Sequence, residues 1–571
     1  MQSLIQYRRI RREVEADLAQ RHPPSTDAVE SKTALPPQKT TTTPTTATTT
    51  LTAAATTIPT TAATTTATAT TTTNNQTQAA AVQDSDSEAH LWKLPGITAT
   101  RPSEHDGSVT FLVGWRSASD PSNPQNWPNV KRFFAALGAC LLAFAVSVPS
   151  SIDAPVSLAF NEHFHVGPVA GSLTTGLYLI GTGLGALVAG TVSETFGRNV
   201  VYITTFVAFI AFILGKALAP SFGAALAFRF LTGFFGSTPL TASGGSVADL
   251  FTPLEMIFVI PVVGITAYAG PLTGPIIGAY LPGVGFRWAD WTALIIAGAV
   301  LAYVLLCQPE TYPAVLLEWR ARHLRQLTGD ARFRASEHHA AARTLARRLL
   351  VNLYRPFVMT YSEPIILVFA LYLTVIYIVL FTFLNGYPFI FEQTYGISGS
   401  LTYVLWAALL AGDLLMAPLV PLIYGWAKKD AAAGTLTPEM CLWFSMLGGS
   451  VLLPASLWWM AWSCYPDVSI WVPLVGSVFF GYGLLTVFST ILLYTCFVYG
   501  LHSASALAFI TCTRYVVSGA ILPASVPMYE NLGPHRALTI PAALATVMAP
   551  VPYLLYVYGA RIRALSKNAM H

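Results

Sequence analysis

From Lys131 onward the chain alternates between long apolar runs and short polar breaks. A helix rises 1.5 Å per residue, so about 20 apolar residues cross the hydrocarbon core of a bilayer. Twelve runs reach that length, near 132–152, 168–190, 200–220, 224–247, 257–281, 289–308, 364–386, 401–424, 440–462, 470–493, 500–524 and 538–558. The longest polar break, Pro309 to Ser362, divides them six and six. It is strongly basic, with nine arginines and four acids between Glu310 and Arg355.

Before Lys131 this pattern is missing. From Thr40 to Thr73, 22 of 34 residues are threonine and none is charged. Such a tract buries too little apolar surface to offset chain entropy, so a disordered tail is expected, with room for a short basic amphipathic helix over Ile5 to Leu18. The opening "MQSLIQYRRIRREVEADLAQ" lacks the apolar core of a signal peptide, which leaves targeting to the first spanning helix. The expected organisation is a cytoplasmic Thr-rich tail (1–130), a first six-helix half (131–308), a basic linker (309–362), a second six-helix half (363–560) and a short cytoplasmic tail (561–571).

Composition supports a membrane protein. Hydrophobic residues make up 53% of the chain and charged residues 11%, against about a quarter in soluble domains. The net charge of +4 matters less than where the charges lie. With the amino terminus inside, the inner loops and final tail hold 17 Lys and Arg, counted from Lys131, whereas the outer loops hold Lys216, Arg287 and Arg536. That asymmetry places both termini in the cytoplasm of a multi-pass cell-membrane protein. The six cysteines show no paired spacing, so neither a disulfide framework nor a metal site is expected.

The fifth run contains "GITAYAGPLTGPIIGAY", with Gly264, Gly270, Gly274, Gly278, Pro271 and Pro275. Glycine costs a helix interior about 1 kcal/mol relative to alanine, and proline about 3. The four-residue spacing of Gly270, Gly274 and Gly278 aligns them on one face, where another helix can approach closely. Each proline removes a backbone hydrogen bond and favours a bend. A kinked helix at a moving seam is the expectation, with ordinary tight helix packing as the alternative.

This stretch resembles the fifth-helix antiporter motif of the twelve-span drug:proton antiporters of the major facilitator superfamily. "GTVSETFGRNVVY" resembles the superfamily's loop motif between helices 2 and 3, through Gly190, Glu194, Gly197 and Arg198. "FRFLTGFFGS" resembles its fourth-helix motif, through Arg229, Gly233 and Gly236. "DPSNPQNWP", "PETYPAVLL", "RPFVMTYSEPI", "SASALA" and "YGARIRALSK" resemble the fungal branch, and "FLNGY" resembles pumps that export secondary metabolites such as mycotoxins. The resemblance spans Asp120 to Lys567. It implies an all-α membrane protein with the major facilitator fold: twelve transmembrane helices in two six-helix halves related by pseudo-twofold symmetry, rocking about a central site. There are departures: Asn385 and Phe497 stand where many fungal relatives carry acids, and Cys441 where the inner-loop arginine is usual.

Charges inside a bilayer are rare and usually face a cavity. Arg229 lies mid-span in the fourth helix, where the resemblance implies an arginine that assists proton transfer at a nearby carboxylate. Asp413, in "ALLAGDLLMAP", is a candidate proton carrier, and Arg514 a candidate partner for it, unless the two only hold the second half together. Asp153, after "PSSI", is either a second proton site or a solvated helix-end charge. Glu194, Arg198 and Asp249 form a gating set: the resemblance implies that the loop charges hold the halves together, and Asp249 is placed to pair with Arg198. Tyr178, Tyr268, Asn385, Tyr387 and Trp406 are candidates to line a substrate cavity.

No catalytic constellation is present. "NEHFH", Asn161 to His165, lacks metal-ligand framing; His338 and His339 lie in the basic linker; and no phosphate-binding loop for ATP occurs. The expectation is therefore a transporter and not an enzyme, acting as a monomer, powered by the proton gradient without a cofactor, with a small hydrophobic molecule as substrate and no nucleic-acid partner. Export of a drug, toxin or secondary metabolite is the leading reading. Movement of a polar solute such as a polyamine or sugar is the second, and a non-transporting membrane sensor the third.

Overall fold

A computed structural model describes residues 1–20, 94–100, 110–335, 345–397, 399–500, 503–564 and 566. The threonine tract at 40–73, together with His338 and His339, lies outside the described residues. Helix α1 covers Gln2–Ala19, where the short basic helix is expected. The first half then comprises α2 (Asn129–Ser147), α3 (Ser157–Phe164), α4 (Pro168–Phe196), α5 (Arg198–Ala217), α6 (Phe222–Leu250), α7 (Pro253–Gly278) and α8 (Trp288–Cys307). After α9 (Pro313–Thr328) and α10 (Leu345–Ser362) comes the second half: α11 (Pro364–Tyr387), α12 (Gly399–Val404), α13 (Ala407–Leu415) and α14 (Leu419–Ala432). It continues through α15 (Ser450–Ser463), α16 (Trp471–Tyr499), α17 (Ser503–Met548) and α18 (Val551–Ala564).

Among the described residues, ten helical stretches are long and apolar enough to cross a membrane. The last, Ser503–Ala564, runs for 62 residues, too many for one crossing. It turns at Gly533, whose φ of 73° favours glycine, and Pro534 starts the returning helix. The 29-residue α6 is diluted by small polar residues but packs against α2, α4 and α5 as an integral member of the bundle. Counting these gives the twelve crossings.

The packing has a twofold pattern. Helix α4, second crossing of its half, packs on α17, fifth crossing of the other. Conversely α7, fifth in the first half, packs on α13 and α14, which belong to the second crossing of the other half. The α4–α17 contact depends on paired glycines. A Cβ at Gly176 would lie 2.7 Å from the Gly519 carbonyl oxygen, and one at Gly519 would lie 2.5 Å from that of Gly176.

The glycine stripe of α7 corrects the expectation of a moving seam. Cβ atoms at Gly270, Gly274 and Gly278 would meet Ser147, Ser151 and the Ile152 carbonyl, all in the first-half segment running on from α2. Only Gly264 faces the other half, towards Leu485 of α16. The stripe therefore binds the helix within its own half. Pro275 has no N–H for the Pro271 carbonyl four residues back, and Ser151 Oγ donates to that oxygen at 2.8 Å instead.

The described residues within 9–118 and 320–335 form a separate compact unit. Within it β1 (Ile97–Thr100) pairs antiparallel with β2 (Thr110–Val113), and β2 pairs parallel with β3 (Phe333–Arg334). Arg320 donates to the carbonyls of Gly114 and Pro95, each at 2.7 Å, and Arg116 pairs with Asp17 at 2.8 Å. This sheet is an addition to the all-α expectation, and it gives order to parts of the tail expected to lack structure. Its strands are too short for alternation to distinguish them from loop.

Candidate functional site

A cavity of about 260 Å³ runs between the halves, from Arg514 in mid-bundle to the end where Glu194, Arg355 and Ser503 stand. Most of its wall is apolar or small, from Ala186, Leu240, Ile260, Val263, Leu373 and Ile491. Beyond Arg514 lies a smaller cavity of about 30 Å³, lined by Tyr178, Tyr268, Tyr377, Phe488 and Tyr515. Past that chamber the bundle is tight, at the Gly176–Gly519 crossing.

On the tight side, four buried charged groups meet. Helix α2 ends in a 3-10 turn at Val148–Ser150, and a second follows at Ala154–Val156, each containing a proline. The distortion frees the Pro149 carbonyl, which accepts a hydrogen bond from Arg229 Nη2 at 2.7 Å. The same guanidinium nitrogen donates to Asp153 Oδ2. Lys216, in the last turn of α5, reaches that oxygen at 2.7 Å and Asp290 Oδ1 at 2.8 Å. All four residues are at most 8% exposed. Two cations and two carboxylates cancel, so none is left as an uncompensated buried charge.

This arrangement decides the reading of Asp153: it is a buried member of a network and not a solvated helix-end charge. It also moves Lys216 from an outer loop to the core and adds Asp290, which the sequence did not single out. No local signal distinguishes these two from helix-end charges.

At the opposite end, Arg198 Nε donates to Asp249 Oδ2 at 3.1 Å, a pair within the first half that does not bridge the two halves, and its Nη1 donates to Ser193 Oγ at 2.6 Å. Glu194 lines the large cavity and forms no ion pair among the described residues. Gly197 turns the chain from α4 into α5 with φ 93°, and a Cβ there would lie 2.7 Å from Glu310 Oε2. The Glu310 carboxylate accepts from the amides of Arg198, Asn199, Thr311 and Tyr312 at 2.9–3.1 Å, capping α5. Burial pushes this carboxyl above the ordinary glutamate range, and the amides of Tyr312, Arg198 and Asn199 pull it part of the way back. Gly190 faces open space, with nothing within 4 Å of a Cβ, so packing does not require glycine there.

Asp413 and Arg514 are not partners. Asp413 is fully buried, and among the described residues neither of its oxygens has a hydrogen-bond partner. It lines neither cavity. Its neighbour Gly412 packs so closely on α16 that a Cβ would lie 1.9 Å from the Val478 carbonyl oxygen. Arg514 instead lies over three rings, its guanidinium carbon 4.7 Å from the centroid of Tyr377, 5.1 Å from Phe488 and 5.2 Å from Tyr515.

The cavity candidates divide. Tyr178 and Tyr268 line the smaller chamber, and Tyr178 donates its hydroxyl to the Val146 carbonyl. Asn385, Tyr387 and Trp406 line neither cavity. Asn385 donates to Ser525 Oγ at 2.9 Å, tying α11 to α17. Tyr387 donates to Ser477 Oγ at 3.0 Å and packs on Trp406 at 5.3 Å between centroids. Their aromatic character serves packing inside the second half.

Residues 133–523 match the family described as Major Facilitator Superfamily. The MFS-type transporter kojT of Aspergillus flavus is 41% identical over 489 residues, covering 83% of this chain and 86% of that protein. The MFS-type efflux pump MFS2 of Trichophyton rubrum is 32% identical, covering 80% of this chain and 77% of its own. Among solved structures, the human organic anion transporter MFSD10 (TETRAN) matches 75% of this chain and all of its own at 18% identity, with a TM-score of 0.49.

Proposed function

The chain belongs to the major facilitator superfamily and is a multi-pass membrane transporter, not an enzyme, and on that premise we propose that it exports small, largely apolar compounds in exchange for protons. The observation that carries this reading is the contact of Asp153 with Arg229, three residues beyond Ser150 in the wall of the small chamber. A proton arriving on Asp153 removes half of that ion pair and frees Arg229 and Lys216 to rearrange. An event at one carboxylate is thereby linked to the packing of three crossings, α2, α5 and α6. Energy comes from the proton gradient, with no cofactor.

The shape of the cavity supports alternating access. The chain has a wide, mainly apolar chamber at one end of the bundle, read as cytoplasmic from the charge asymmetry, and a glycine-to-glycine closure at the other. The protein then takes up its cargo from the cytoplasmic side of the cell membrane, as a monomer. Self-protection against a toxin or secondary metabolite fits an exporter whose named relatives include a fungal efflux pump. Polyamine transport is disfavoured by the lining of the large cavity, which carries Arg198, Arg355 and Arg514 against the single acid Glu194.

The test is efflux of a fluorescent hydrophobic dye from cells expressing the protein, with and without a protonophore. Efflux that collapses with the protonophore supports the reading. Efflux indifferent to it, at normal surface expression, would overturn the proton coupling.

A further inference from the structure

Arg514 poses a physical problem that the proposed function leaves unexplained. It is only 7% exposed, at the junction of the two cavities, and lines both. Among the described residues it has neither an ion-pair partner nor a hydrogen bond, and its Nε is buried without an acceptor. The other buried cations near the cavities are compensated: Arg198 by Asp249, Arg229 by Asp153, and Lys216 by two carboxylates. An isolated guanidinium in a low-dielectric interior is expensive, and ring faces recover only about 0.5–2 kcal/mol of that cost. A charge held without a counter-ion in the wall of a binding cavity is completed when the ligand brings the counter-ion.

We propose that Arg514 receives the negatively charged group of the transported compound, which makes the substrate class small organic monoanions with a flat apolar body. The rings of Tyr377, Phe488 and Tyr515 hold the guanidinium from around it, and its terminal nitrogens remain free to make two parallel hydrogen bonds to a carboxylate. The body of such a ligand lies against Leu240, Ala267 and Phe488, which both cavities share. No acid in the smaller chamber competes for the arginine. This assignment rests on the export reading and narrows its substrate from apolar compounds in general to apolar acids.

Binding to the purified full chain tests it, with 2-naphthoate and its methyl ester as probes of one shape and different charge. The expected result is that 2-naphthoate binds the unaltered protein and that Arg514→Gln weakens it by roughly tenfold to a hundredfold, the range for a charge-assisted hydrogen bond. Arg514→Lys keeps part of the binding, and the ester changes less than about twofold, well short of one lost hydrogen bond. Should Arg514→Gln fail to fold, the unaltered protein still decides: 2-naphthoate raises its melting temperature more than the ester does at equal concentration, and an equal or smaller shift overturns the proposal. The proposal is overturned if 2-naphthoate does not bind, if it binds both proteins equally, or if Arg514→Gln weakens both probes alike while lowering the melting temperature, as a structural arginine would. Dye efflux with no anion binding overturns this inference and keeps the export reading. Anion binding without protonophore-sensitive efflux does the reverse.

Discussion

Lys216 Nζ lies 2.8 Å from Asp290 Oδ1 in a buried contact between α5 and α8, residues 74 apart in the chain. Removing one partner of a buried pair typically costs about 3–5 kcal/mol, because the other charge stays behind. Lys216→Met should therefore lower the melting temperature of the detergent-purified protein sharply. Adding Asp290→Asn should restore most of the loss, since Asp153 and Arg229 remain a neutral pair. Losses that simply add would show that the two groups are not energetically coupled.

Asp153 and Asp413 make opposite predictions. Asp153→Asn removes the carboxylate that the export reading protonates, and on that reading protonophore-sensitive efflux should fall to the level of empty cells. Among the described residues Asp413 touches neither cavity nor counter-ion, so Asp413→Asn should leave efflux within about twofold of normal, less than the ~1 kcal/mol of an average hydrogen bond. A pump that survives the first substitution and dies with the second would move the coupling site into the second half.

Three glycines separate close packing from helix propensity. Gly176→Val and Gly519→Val should each keep the halves apart at the tight end, abolishing transport while surface expression persists. Gly190→Ala meets no neighbour and should be tolerated, gaining up to about 1 kcal/mol of helix propensity. Cysteine-labelling accessibility near Gly171 reads the closure directly: if the valine variants label no faster than the unaltered protein, the glycine crossing is not the gate.

Arg198 and Asp249 pair within one half, α5 to α6. Reversing either charge alone should impair transport, and Arg198→Asp with Asp249→Arg should recover a substantial part of it. Recovery would identify the pair itself as the functional unit. Failure of the double reversal would assign the role to the other contacts of Arg198, with Ser193 and the Glu310 cap.

The twelve crossings, their division six and six and the basic break between the halves were legible in the sequence. Crossing a bilayer depends on a sum over about 20 neighbouring residues, which any local window contains. Gly197 and the Arg198–Asp249 pair were legible too: although 51 positions separate the pair, each residue stands at a helix end on the same side of the bundle. What tertiary structure alone decided is which distant groups meet. The contacts of Asp153 with Lys216 and Arg229 join residues 63 and 76 positions apart, and Asp413 and Arg514, both mid-helix charges, never come together. Rotation of each helix about its own axis sent the glycines of α7 towards α2 and turned Tyr387 and Trp406 into the second half. Hydropathy measures how apolar a helix is and says nothing of where each face points, so partners, cavity wall and gate had to come from the packed bundle.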